Sequence, residues 1–123
     1  MTTITITFER MPDLPPNTRV EMVFRRGGTM VALDYFFTHP DGLVVRTSYA
    51  ICHPRDTFSW ETAMRLCVKR IRVNNIYRAF RRWMWLTKIG NKFEYWVFQG
   101  DSRMSKVSDV IASEFGRVTV AIT

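Results

Sequence analysis

The sequence predicts an α+β domain, with an N-terminal antiparallel β-meander packed by a basic helical middle segment and a C-terminal β-α-β. Three observations carry this reading. Through residue 51, apolar and polar side chains alternate in runs separated by Gly/Pro turns, the period-2 pattern of half-buried strands. At Pro54 the period changes to that of a helix. From Arg65 to Lys92 there are nine Lys/Arg and no Asp or Glu. The chain of 123 residues is 46% apolar, which fits a single domain spanning 1–123. A chain of this size buries about two-thirds of its unfolded surface.

The elements follow in order. In residues 3–8, Ile4, Ile6 and Phe8 share one face and Thr3, Thr5 and Thr7 the other. Met11 to Thr18 contains three prolines and is expected to be a loop. Arg19 to Arg26 is a second strand, with Val20, Met22 and Phe24 inward, and Gly27-Gly28 supplies the positive φ of a two-residue hairpin corner. Thr29 to Thr38 is nearly all apolar and is expected to be central. His39-Pro40-Asp41-Gly42 is a turn, with proline presetting φ at the first corner. Leu43 to Ile51 is the fourth strand.

Pro54 stops the strand, and Asp56 or Thr57 is expected to cap the helix that follows, with Ser59 also in reach. Trp60, Ala63, Met64, Cys67, Val68 and Ile71 fall at helical spacing on one buried face. Glu61, Arg65, Lys69 and Arg72 form the opposite stripe, with Glu61 and Arg65 in the favourable i,i+4 order. Asn74-Asn75 breaks the pattern. Ile76 to Lys88 reads as a helix with Ile76, Phe80, Trp83 and Thr87 on one face and Gly90 at its end. It also reads as a strand pairing across Gly90-Asn91 with Phe93 to Phe98. The helix is favoured because Ala79, Arg81, Arg82 and Leu86 are good helix formers. Lys92 to Gln99 is an aromatic strand. Ser102 or Ser105 caps a helix over Met104, Val107, Ile111 and Phe115, which Gly116 ends. Val118, Val120 and Ile122 are in phase on a final strand.

The charge is the feature that points to function. Residues 65–92 carry +9 within a chain of net +7, so the remainder sums to −2. Lys and Arg neutralise phosphates and release counterions, and Trp or Tyr faces stack on exposed bases. The candidate binding residues are Arg65, Lys69, Arg72, Arg78, Arg81, Arg82 and Lys88. The plain alternative is a solvated helix face with tryptophans in the core, and Trp60 and Trp83 do fall on buried faces. A merely solvated face, however, usually mixes both signs.

No enzyme chemistry is expected. Cys52, His53 and Asp56 invite a nucleophile-base reading, but neighbours at a strand end project to opposite faces, so thiol and imidazole do not pair. The two histidines and two cysteines lack metal-ligand spacing, and no acid/base carboxylate pair stands out. Gly27-Gly28 is not a phosphate loop. No cofactor or metal is expected, and both cysteines are expected to be reduced, buried and inert. No run of about 18 apolar residues spans a membrane. MTTITITFER has no basic n-region, so it is not expected to be a signal peptide.

The passage Cys52-His53-Pro54, Asp56, Phe58-Ser59 and Arg70 resembles a strand-turn-helix signature of small accessory proteins of tailed bacteriophages. Ala63 stands where that signature has Gly, and Leu66-Cys67 where it has Ile-Ala. The resemblance covers about 20 residues. It implies a virus-encoded accessory protein in the cytoplasm of an infected cell, and carries no chemistry with it. Two functions are then expected from the basic segment: nucleic-acid binding, or inhibition by docking on an acidic or nucleic-acid-bound host protein. The host protein would be one that processes nucleic acid, including a defence complex such as a CRISPR nuclease. The positive charge argues against a DNA mimic, which would be acidic.

Overall fold

The computed structural model describes residues 2–12, 14, 15, 17–71, 76–87 and 113–123. Five antiparallel strands form one sheet in the order β4-β3-β2-β1-β5. They are β1 (Thr2–Phe8), β2 (Arg19–Gly27), β3 (Met30–His39), β4 (Gly42–Ile51) and β5 (Val118–Ile122). Two helices, α1 (Trp60–Ile71) and α2 (Ile76–Thr87), pack on the sheet, α1 over β3 and β4. The fold is α+β. The expected strand at 92–99 and the helix start at Ser102 or Ser105 lie outside the described residues. Residues 113–115 are helical, and Gly116 ends them at φ +64°.

Strand alternation places the core. Ile4, Ile6, Phe8, Val20, Met22, Phe24, Val31, Leu33 and Tyr35 are all fully buried on the helix side of the sheet. The first and last strands pair along Ile4↔Ile122 to Phe8↔Val118, so the chain's two ends lie side by side. The centre of the core is aromatic. Phe8 meets Trp83 edge-on at 5.2 Å, Phe80 lies 5.7 Å from Trp83, and Phe24 stacks on Phe80 at 6.0 Å. Such pairs add to the gain from burial alone. Ile76 to Thr87 is therefore a helix: Ile76, Phe80 and Trp83 recur at helical spacing and all three are buried.

Two local expectations are corrected. Gly27 pairs with Met30 as part of the ladder, so the hairpin corner is Gly28-Thr29, one residue later. Only Gly28 takes a positive φ there, at +60°, so a second glycine at the corner is unnecessary. β3 is interior, as its nearly all-apolar sequence predicts, and β2 is the middle strand because β5 joins beyond β1. At the start of α1, Ser59 is the cap: its Oγ accepts the Thr62 N–H at 3.3 Å and its carbonyl accepts the Ala63 N–H at 3.0 Å. Asp56 instead closes the preceding turn, donating its N–H to the His53 carbonyl at 2.9 Å. Replacing Ser59 with alanine is expected to cost about 1 kcal/mol in urea denaturation, whereas Asp56→Ala leaves the midpoint nearly unchanged.

Two buried polar groups are satisfied across the sheet–helix boundary, whereas the Tyr35 hydroxyl is buried without a hydrogen-bond partner among the described residues. Ser48 Oγ donates to the Cys67 carbonyl at 2.6 Å, and the Cys67 thiol donates to the Val31 carbonyl at 3.5 Å. These bonds fasten α1 to β4 and β3. Burial pushes the Cys67 thiol up to about 11, so it is not a thiolate at neutral pH. Cys67 is free and buried as expected, while Cys52 is free but only half-buried, because it lies past the last β4 residue.

Candidate nucleic-acid interface

The aromatic core dictates which face of α2 meets solvent. With Ile76, Ala79, Phe80, Trp83, Met84 and Leu86 buried, Arg78, Arg81, Arg82 and Trp85 remain outside. Those four fall at i, i+3, i+4 and i+7, one stripe of a helix. Trp85 is 63% exposed, the opposite of Trp60 and Trp83, which are buried. On α1, Lys69 is exposed and Arg65 half-exposed.

The two helices bring part of this set together. Arg65 and Arg81 line one concavity of about 110 Å³ with Glu61, Met84 and Trp85. Two guanidiniums thus border an exposed indole. Arg65, Lys69, Arg78 and Arg81 have no acidic partner among the described residues. Arg72 and Lys88 lie outside the described residues.

Arg82 is engaged differently from its neighbours. Its Nε and Nη2 donate to the two carboxylate oxygens of Glu114, each at 2.6 Å. A planar fork on a carboxylate is a directional, charge-assisted interaction. The bond holds the Glu114 carboxyl below the usual carboxylate range. A depressed folded-state pKa stabilises the protein above the ordinary carboxylate value, and that contribution is lost as pH falls through the lowered one. The melting temperature is therefore expected to decline on the acid side of the carboxylate range. Glu114→Gln should lower the melting temperature above the carboxylate range and converge with the parent protein in acid, removing that part of the decline.

Three further arginines are engaged elsewhere on the fold. Arg25 pairs with Asp34 at 2.9 Å, Arg26 lies 3.5 Å over the Phe58 ring, and Arg70 donates to the Tyr49 carbonyl at 2.9 Å. Their charge remains, but their donors are spent on the fold.

The Cys52-His53-Asp56 cluster forms a turn. The Cys52 sulfur faces the carbonyls of His53 (3.5 Å) and Asp56 (3.7 Å), and His53 Nδ1 accepts the Arg55 N–H at 3.1 Å. The thiol is thus directed at backbone oxygens. A cavity of about 280 Å³ beside it has a mostly apolar wall that includes Ala50, Ile51, Phe58 and Leu66. Among the described residues, no three His, Cys, Asp or Glu side chains cluster as metal ligands would. None of the described helices is long and apolar enough to cross a membrane.

Comparison with protein-family models, curated proteins and solved structures finds no match.

Proposed function

We propose that this protein binds nucleic acid without catalysing a reaction, through the solvent face of its basic helical middle. Arg65, Lys69, Arg78 and Arg81 contact phosphates, and Trp85 stacks on an unpaired base. The observation that carries this reading is the exposed Trp85 in a concavity it shares with Arg65 and Arg81. An exposed indole amid guanidiniums that have no acidic partner among the described residues suits a single strand, whose bases offer ring faces and whose phosphates offer charge. Arg82 belongs to the same stripe but is positioned by Glu114. The resemblance to phage accessory proteins supports a setting in the cytoplasm of an infected cell.

The test is a titration with single- and double-stranded DNA and RNA, following tryptophan fluorescence and gel mobility. Trp85→Ala should weaken single-strand binding by about 1–3 kcal/mol and duplex binding less. Lack of affinity for every nucleic acid at low salt would overturn the proposal.

The second reading is a phage-encoded inhibitor docking on a host nucleic-acid-processing protein. The same observation favours it, because Trp and Arg are the residues enriched at protein hot spots. Pull-down from nuclease-treated host lysate separates the two readings: capture that Trp85→Ala abolishes, without nucleic-acid affinity, selects the inhibitor.

A further inference from the structure

We propose that the edge of β4 that no described strand occupies pairs with β4 of a second copy, antiparallel, about a two-fold axis at Thr47. Among the described strands β4 is an outermost one of ten residues, and its pairing with β3 runs in unbroken register from His39↔Gly42 to Met30↔Ile51. The direction of its backbone groups follows from the next residue along. Cys52 donates its N–H to the Thr29 carbonyl at 2.9 Å, so the even-numbered positions face β3. The odd-numbered positions, 43 to 51, direct N–H and C=O at solvent. Two side-chain hydrogen bonds agree, since Arg46 reaches the Val45 carbonyl and Arg70 the Tyr49 carbonyl.

The side chains at those odd positions lie on the face away from the helices, because Ser48 and Ala50 are buried under α1. They read Leu43, Val45, Thr47, Tyr49 and Ile51. The apolar four are 60%, 43%, 60% and 64% exposed. Exposed edge strands usually carry lysine, proline or a bulge that prevents pairing. β4 has none of these, and its only charged residue is Arg46.

The occupant is argued from symmetry. A two-fold interface must be self-complementary, each residue i facing j while j faces i. Centred on Thr47, the register sets Leu43 against Ile51, Val45 against Tyr49, and Thr47 against its own copy. On the other face Arg46 meets Ser48 and Val44 meets Ala50. Every large apolar side chain finds an apolar partner, and no like charges are directly opposed. Aromatic–β-branched and Thr–Thr pairs are favourable cross-strand combinations. A centre moved by half a residue would direct even positions, whose backbone groups are already spent on β3, at the partner. A centre at 46 would oppose Arg46 to its own copy, and one at 48 would set Leu43 against His53 and Thr47 against Tyr49. Paired residues share a face, so both helical layers would fall on one side of a ten-stranded sheet. Arg46 and Arg70 now hold two of the carbonyls that pairing would use, so they guard the edge and set its strength.

The experiment uses the full, nuclease-treated chain. Sedimentation equilibrium should show a monomer–dimer equilibrium, and Thr47→Lys, which opposes like charges across the axis, should raise Kd by about tenfold or more. A thermal melt confirms that the variant is folded. Arg70→Ala, by freeing the Tyr49 carbonyl, should lower Kd. Register is read by cross-linking in a Cys52→Ser background. Equivalent Cα atoms at the axis lie about 5.5 Å apart, within disulfide reach, so Thr47→Cys should oxidise to a covalent dimer. Val45→Cys alone should not. A monomer at every concentration up to about 1 mM, or cross-linking at position 45 as efficient as at 47, overturns the proposal.

Discussion

Trp83→Ala is expected to destabilise the protein by about 3–5 kcal/mol, the cost of deleting a large core aromatic. Trp83 is 1% exposed and joins two elements, touching Phe8 of β1 at 5.2 Å and Phe80 one turn earlier on α2 at 5.7 Å. Phe115 lies 5.7 Å from the same Phe8. Removing the indole opens a cavity bordered by rigid rings that cannot collapse into it, which places the cost toward the upper end. Small domains are stable by roughly 5–15 kcal/mol, so this one change takes a large share. Trp85→Ala, two residues along on the solvent face, should stay within about 0.5 kcal/mol. Parallel urea denaturations of the two variants check the assignment; equal midpoints would mean that α2 is rotated.

Replacing Arg78 and Arg81 together with glutamate should have the largest effect on binding. Each phosphate left without its cation lowers the slope of log K against log salt by about 0.9 on duplex DNA, so the double variant changes it by roughly 1.8. The weakening should be uniform across sequences, because phosphates carry no base information. Both side chains are exposed and have no acidic partner among the described residues, so folding should be unaffected. Reversing Arg82 is a useful contrast. It would set a carboxylate against Glu114 and should lower stability as well as binding. A salt slope that is the same before and after the Arg78/Arg81 reversal would remove these residues from the interface.

The fold is legible in the sequence where periodicity acts alone. Ile4, Ile6 and Phe8 alternate with threonines, and Trp60, Ala63, Met64, Cys67 and Val68 repeat at helical spacing; burial follows both patterns. Ile71 is the last residue of α1 and is only half-buried. The hairpin corner shifts by one residue because sequence shows glycines, whereas register decides which glycine leaves the ladder. The α1 cap differs from the expected one because Asp56, Thr57 and Ser59 are all good caps; only the path of the turn selects Ser59. The basic run is visible as charge, but its division is not. Glu114 stands 32 residues from Arg82 and neutralises it through a tertiary ion pair, which no local pattern encodes. Trp85 is readable as outward-facing once α2 is taken as a helix, yet its shared concavity with Arg65 depends on how two helices meet.

The pairing of β1 with β5 has a consequence for synthesis on the ribosome. β1 to β4 are joined consecutively, so each hairpin can close soon after it emerges. The outer edge of β1 must wait until residues 118–122 are made, more than a hundred residues later. At about 5–20 residues per second this leaves several seconds in which a nascent meander displays an uncapped strand. Pairings of such long sequence separation also slow the final closing step. Chains stalled in that interval would be the ones most exposed to misassembly, and a chaperone that shields strand edges would act on them first.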